Sequence, residues 1–372
     1  MEKVCRLWLI AIAKLRRSAI SKLLDLYNSA EAVYNISESE IKSLKFLNDE
    51  EKDALCKKEL ELANKYLEYI SKNDTKFITP IDEEFPFALF HIEDPPHGLF
   101  CRGKFIDMNE NVLIAVVGAR KCTQYGHECA RIISRNVAKE GAVIVSGMAT
   151  GIDSAAHEGA LEAGMPTIAV LGCGVNIVYP PSNHNLMRRI METGMVISEY
   201  PVNTSASKYT FPDRNRIISG ISSGVAVIEA GARSGSLITA RCAAEQGKDI
   251  YAVPGHINSP SSKGTNELIK DGAHLITCAE DVTFNYSARL EYVKSKFYNK
   301  KTAANEYLTN PADNNDIETA IANILTAEPM TIDEISAVTG MDIPQINTAL
   351  LMMELSGTVM THPSGKYSKP IE

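Results

Sequence analysis

The chain of 372 residues has no Cys-x-x-Cys pair, no apolar run long enough to cross a bilayer, no Gly-Lys-Ser/Thr loop and no net positive charge. Each absence excludes something. The eight cysteines (Cys5, Cys56, Cys101, Cys122, Cys129, Cys173, Cys242 and Cys278) stand apart from one another. Their spread argues against a metal site and for reduced thiols in a cytoplasmic protein, several of them serving as small core residues. The apolar run 7–13 is cut short by Lys14, Arg16 and Arg17 and has no small-residue cleavage site after it. It reads as a buried first helix, with no membrane span and no signal peptide. Without a Gly-Lys-Ser/Thr loop, P-loop ATP hydrolysis is disfavoured. Nor is there a Gly-x-Gly-x-x-Gly fingerprint with an acid closing the next strand, so a dinucleotide is not expected. No cofactor is called for. A net charge of −8 gives no bulk attraction to nucleic acid. Any DNA binding has to come from a local basic groove.

What is present is enough chain for two or three domains, 45% of it hydrophobic. Residues 1–75 read as a helical module, with apolar residues at helical spacing (Ala19, Leu23, Leu24, Tyr27; then Leu55, Leu60, Leu62, Leu67) and balanced charge. Ser37-Glu38-Ser39-Glu40 has the form of a helix start with a capping acid at Glu40. Residues 76–111, with Pro80, Pro86, Pro95 and Pro96, read as a connector with strands near 76–78 and 99–101. From 112 to about 281 short β-branched runs (112–117, 142–145, 167–171, 195–198, 225–228, 250–253) alternate with helical stretches (126–140, 153–163, 183–192, 215–222, 237–246). This is the pattern of a parallel α/β sheet covered on both faces. Right-handed crossovers then bring every strand's C-terminal end to one edge, where ligands bind. The domain is placed at 76–284. Residues 285–315 form a linker that opens on Arg289, Lys294, Lys296, Lys300 and Lys301. Residues 316–372 read as a winged-helix-like module: helices 316–325, 331–338 and 343–356, then a hairpin over 359–368 turning at Ser364-Gly365. Its eight acids against two lysines, a net of −6, would be repelled by phosphate, which favours a protein-contact or structural role.

The sheet edge carries the chemistry. Gly118-Ala119-Arg120 turns from the first strand into a helix, where unsatisfied amides and a guanidinium can receive phosphate. The alternative is an ordinary turn with a surface arginine. Gly147 and Gly151 bracket a second loop and allow an anion to approach the backbone. Asp153 and His157 lie four apart, either as an acid–base pair or as a helix cap and a packed ring. Gly172-Cys173-Gly174 with Tyr179-Pro180-Pro181 makes a third loop. A fourth, Gly231-Ala232-Arg233-Ser234-Gly235-Ser236, offers hydroxyls at Ser234, Ser236 and Thr239. The sharpest stretch is Lys208-Tyr209-Thr210-Phe211-Pro212-Asp213-Arg214-Asn215-Arg216, which joins cations to rings just before a helix. Cations follow a nucleic-acid backbone and rings stack on bases, each stacked base contributing about 1–3 kcal/mol. Arg214 and Arg216 leave the helix start on different sides; at least one is expected on phosphate, with Asp213 or Glu229 available as an ion-pair partner for the other. Lys263, before Gly264-Thr265-Asn266, either extends the cationic track or is a plain loop lysine.

Taken in order, these motifs resemble the DNA-processing protein A (DprA/Smf) family over residues 78 to 281. They are Gly118-Ala119-Arg120, the loop 146–153, Gly172-Cys173-Gly174 with Tyr179-Pro180, Arg214-Asn215-Arg216-Ile217-Ile218, Ser234-Gly235-Ser236-Leu237 with Thr239-Ala240, Ala252-Val253-Pro254-Gly255, and Gly264-Thr265-Asn266 with Leu268-Ile269 and Asp271-Gly272-Ala273. The resemblance implies an extended Rossmann-like fold that forms a homodimer, binds single-stranded DNA, protects incoming strands in natural transformation and helps load the RecA recombinase, without catalysis. It maps the strand-binding Arg to Arg120, Lys to Lys208 and the stacking Phe to Phe211, with Arg214 and Arg216 completing the pocket. Ala119 stands where many members carry Ser. The candidate DNA-binding set is Arg120, Gly147, Lys208, Phe211, Arg214, Asn215, Arg216, Ser234 and Lys263. The rival reading is a nucleotide N-glycosidase or phosphoribohydrolase, with Asp153 or Glu229 as the acid. The Pro-Gly-Gly-x-Gly-Thr signature of those enzymes is missing.

Overall fold

A computed structural model describes residues 1–293, 314–326, 329–355, 358–362 and 366–369. They belong to two compact units, 1–294 and 295–372. The linker expected from 285 starts later: residues 285–293 are helical, Leu290 is buried in the core and Arg289 donates to the Asn109 carbonyl at 2.8 Å, while 294–313, with Lys294, Lys296, Lys300 and Lys301, and the turn expected at Ser364-Gly365 lie outside the described residues.

The first unit opens with six helices: α1 (Glu2–Leu7), α2 (Arg17–Tyr27), α3 (Ala30–Asn35), α4 (Glu38–Ser43), α5 (Asp49–Lys57) and α6 (Leu60–Lys72). A π-helical turn, Trp8–Ile12, follows α1 and carries the apolar run into the interior, where Leu7, Trp8 and Leu9 are fully buried. Ser37 caps α4 through its hydroxyl, which accepts from the Glu40 amide at 3.2 Å. The expected return bond from Glu40 is diverted, because its carboxylate accepts from the Tyr27 hydroxyl at 2.8 Å. The complete capping box sits instead at α5, between Asn48 and Glu51.

The sheet has nine strands: β1 (Thr75–Ile78), β2 (Leu99–Gly103), β3 (Leu113–Val117), β4 (Val143–Ser146), β5 (Thr167–Val170), β6 (Met195–Ser198), β7 (Gly224–Val227), β8 (Asp249–Ala252) and β9 (His274–Leu275). Their spatial order is β1-β2-β6-β5-β4-β3-β7-β8-β9. From β6 to β9 all neighbours are parallel; β2 joins β6, and β1 joins β2, antiparallel. The two short strands of the expected connector therefore extend the sheet. Interleaved are α7 (Gln124–Lys139), α8 (Ile152–Glu162), α9 (His184–Thr193), α10 (Thr210–Ile221), α11 (Ser236–Glu245), α12 (Lys263–Lys270) and α13 (Glu280–Thr283).

The strands alternate their side chains between two cores. Leu113, Ala115, Val117, Val145 and Val225 face Ile217, Ile218 and Ile221 of α10 and Ala240 and Ala243 of α11. Ile114, Val116, Ile144 and Ala226 face Ala130, Ile133 and Val137 of α7 and Ala155, Ala156 and Ala160 of α8. Strands buried on both faces explain why each reads as an uninterrupted apolar run. The chain winds outward from β3 through β4 and β5 to β6, then returns along α10 to place β7 on the other side of β3. Strand order reverses there, so the loops after β3 and β7 part and leave a crevice at the C-terminal edge.

The second unit contains α14 (Asn314–Ile324), β10 (Met330–Thr331), α15 (Ile332–Thr339), α16 (Ile343–Leu355), β11 (Met360–Thr361) and β12 (Lys366–Ser368). Thr331 and Glu334 form a capping box at the start of α15, and Gly340, at φ +69°, stops it. The expected hairpin gains a third strand, for the sheet order is β10-β12-β11. Ile321, Leu325, Ile335, Ile346 and Leu350 make its core.

Candidate nucleic-acid interface

The loops after β3 and β4 cross at close range. Gly151 takes φ +79°, and a Cβ there would lie 2.4 Å from the Ala119 carbonyl oxygen. Any side chain would pry the two loops apart. The stretch 208–216 comes into this crevice because α10 starts at Thr210, five residues ahead of the sequence expectation. Pro212 is tolerated in the helix's first turn, where its missing N–H is not needed. Phe211 is thereby seated over Gly172, where a Cβ would come within 2.9 Å of its ring.

The result is an open trough of about 810 Å³. Its lining includes Arg120, Lys121, Lys208, Arg214 and Arg233, five cations, against the single carboxylate of Asp153. The Arg120 guanidinium lies 5.0 Å from the centroid of the Phe211 ring, and the Tyr179 ring is 5.2 Å from the same ring. The Lys208 ammonium stands 5.0 Å from the Tyr209 ring, itself 71% exposed. Among the described residues no carboxylate lies within ion-pair distance of Arg120, Lys121, Lys208 or Arg233. A guanidinium held over a ring rather than by a carboxylate keeps N–H groups available for an anion. Asn215 and Ser234 also line the trough; the Ser234 hydroxyl pairs with that of Ser236 at 2.7 Å.

The remaining expected site residues have other surroundings. Arg214 is buried beneath the trough floor and donates to the carbonyls of Gly147 and Val170, tying the ends of β4 and β5 together. Burial pushes the Asp153 carboxyl up and the Arg214 guanidinium down, and the attraction between the two opposes both shifts. Gly147 is not in the trough lining: a Cβ there would lie 2.6 Å from Arg214, so this glycine admits the arginine rather than a ligand. Arg216 leaves the helix on the opposite side, buried and paired with Glu199 at 2.6 Å. Its partner is neither Asp213 nor Glu229, the two acids nearest to hand in the sequence. Lys263 is exposed and lines a separate hollow with Ile257, Asn266 and Leu275. Three cation or ring residues of the lining stand outside the candidate DNA-binding set. Lys121 follows Arg120 directly, Arg233 stood in a loop read for its hydroxyls, and Tyr179 is brought to Phe211 only by the fold.

Both candidate acids are held by neighbouring groups. Asp153 faces Arg214 and accepts from the Ala149 amide at 3.3 Å. Glu229 is buried and accepts from the Thr123 amide at 3.0 Å and from its hydroxyl, which secures the start of α7. His157 is fully buried, its Nδ1 at 2.8 Å from the Thr167 hydroxyl, and burial, with Arg214 adding, pushes it down to about 3. The ring is neutral near pH 7 and serves the core. All eight cysteines are free thiols, and among the described residues no helix is long and apolar enough to cross a membrane.

The family described as DNA recombination-mediator protein A matches residues 76–287, and the DprA winged helix domain matches residues 306–365. Protein Smf of Escherichia coli (strain K12) is 37% identical over 297 residues, which are 77% of this chain and 76% of that protein. The X-ray structure of DNA processing protein A from Streptococcus pneumoniae superposes with a TM-score of 0.64 at 34% identity, covering 73% of this chain and 94% of that one. A structure of DNA processing protein A from Helicobacter pylori, which concerns that protein's single-stranded DNA binding mode, superposes with a TM-score of 0.51 at 30% identity, covering 60% of this chain and 96% of that one. With its sheet domain and its winged helix both matched, the chain belongs to the DprA/Smf family of DNA recombination-mediator proteins.

Proposed function

We propose that the trough between the β3, β4, β5 and β7 loops binds single-stranded DNA and that the chain acts as a non-catalytic mediator. In this role it protects incoming strands in the cytoplasm during natural transformation, acts as a homodimer and delivers the strand to the RecA recombinase. The observation that carries the reading is the set of four cations without carboxylate partners around Phe211. Arg120, Lys121, Lys208 and Arg233 take the phosphates, while Phe211, Tyr179 and Tyr209 offer ring faces to unpaired bases. A duplex hides its bases and gains only the charge contacts. The satisfied states of Asp153 and Glu229 support holding over cleaving, and so weigh against a nucleotide N-glycosidase or phosphoribohydrolase.

The test is an anisotropy titration of labelled single-stranded and double-stranded oligonucleotides across a salt series. Single strands are expected to bind more tightly, with log Kd rising linearly with log salt at a slope of about 0.7 per phosphate engaged. The double substitution Arg120→Ala with Lys208→Ala is expected to weaken binding more than about tenfold with the fold intact. Unchanged binding by that variant would overturn the site. Free base or ribose phosphate released from nucleoside monophosphates would instead establish the enzyme reading. Light scattering with and without oligonucleotide tests the dimer, and strand exchange with added RecA tests delivery.

A further inference from the structure

Helix α10 packs against Leu89 and Ile92 behind it, and its first turn is reached by one side chain of α2. Arg17, the first residue of α2, donates its Nε to Asp94, and its Nη1 lies 3.4 Å from Glu199 at the end of β6. Its Nη2 lies 3.9 Å from Asp213 in the first turn of α10. Glu199 in turn takes Arg216 of α10 at 2.6 Å, with both side chains nine-tenths buried. Arg216 has no hydrogen-bond partner for its Nε or Nη1 among the described residues, so Glu199 is the group that compensates its charge. The same two helical turns that present Asp213 and Arg216 to this junction present Phe211 and Asn215 to the trough.

We infer that Arg17 is a positioning residue for the trough: through Glu199, Arg216 and Asp213 it sets the seat of α10, and with it the Phe211 ring. This rests on the reading of the trough as a single-strand site. Arg17 itself lines the hollow on the other side of α10, with His97, Tyr200 and Pro201, and does not line the trough. Its effect on a bound strand therefore passes through the helix. A residue that acts in this way should change affinity without changing the number of phosphates engaged.

The experiment uses the full chain with Arg17→Met, Phe211→Ala and the two combined, each titrated with labelled single-stranded oligonucleotide across a salt series. Arg17→Met is expected to weaken binding about fivefold, to leave the salt slope at the wild-type value, and to add little further loss when Phe211 is already Ala. Unchanged affinity, a loss that simply adds to that of Phe211→Ala, or a slope reduced by about 0.7 as for a lost phosphate contact would each overturn the inference. If Arg17→Met fails to melt cooperatively, Arg17→Lys, which keeps the charge but not the fork, is put through the same cycle and judged by the same outcomes. A wild-type chain whose binding ignores Arg120→Ala with Lys208→Ala would sink the trough reading itself, and is thus distinguishable from failure of the Arg17 inference alone.

Discussion

Two arginine-rich regions lie on opposite sides of α10 and make opposite use of the same side chain. In the junction with α2, Arg17 and Arg216 are met by Asp94, Glu199 and Asp213, and the cluster is spent on holding the protein together. In the trough, Arg120 and Arg233, with Lys121 and Lys208, have no carboxylate within ion-pair distance among the described residues, and the buried Asp153 feels Arg214 more strongly than Arg120. Cations left unneutralised around exposed rings raise the local potential even though the chain carries a net −8. The lesson is that a cation's surroundings, more than its presence, separate binding from bracing.

The sharpest way to probe that contrast is to remove one partner on each side. Glu199→Gln leaves the Arg216 charge buried and uncompensated, and is expected to cost about 3–5 kcal/mol of stability, read as a lower urea midpoint. A midpoint within error of wild type would mean that the junction is not a brace. On the trough side, Phe211→Ala is expected to weaken single-strand binding by about 1–3 kcal/mol while binding to duplex changes little. Equal losses for both DNA forms would remove base stacking from the account.

Acid should separate the two regions as well. His97 belongs to the junction, its Nε2 lying 3.2 Å from the Arg17 carbonyl oxygen and 3.1 Å from the Ser21 hydroxyl. Burial pushes this ring down to about 4, so the unfolded chain takes up the proton first. Its contribution is complete above the unfolded value, about 6.5, and is lost as pH falls toward about 4, with a loss on the order of 1 kcal/mol already at pH 5.5. Urea midpoints of wild type and His97→Gln at pH 7.5 and 5.5 should show a smaller acid loss in the variant; equal losses would assign the sensitivity elsewhere. The smallest effect is expected from ending the chain at residue 293. Loss of the second unit, whose residues 316–372 carry a net of −6, should leave single-strand affinity within about twofold of wild type, and a larger drop would give that unit a share in DNA binding.

Much of this was legible from local pattern. The six apolar runs became β3 to β8 because a strand covered on both faces has no polar side to break the run. The Thr331 cap and the Gly340 stop bounded α15 for equally local reasons. The start of α10 was harder to read, since Pro212 looks like a helix breaker and is accommodated only in a first turn. The site was half legible: Arg120, Lys208 and Phe211 meet in the trough, whereas Arg216, two positions beyond Arg214, does not. Successive helical residues are turned by about 100°, so neighbours in sequence part company in space.

By itself, the order of residues determined the alternation of strands and helices, the glycine turns at their ends, and the presence of cations and rings along one sheet edge. These follow from hydrophobic period and backbone freedom, which act over a few residues. Only the tertiary structure decided which cations were neutralised. Glu199 reached Arg216 across 17 positions and Arg17 across 182, and Arg214 found the Gly147 carbonyl 67 positions away. Ion pairing depends on distance in space and on exclusion of water, and both are set only once the sheet and its helices have closed.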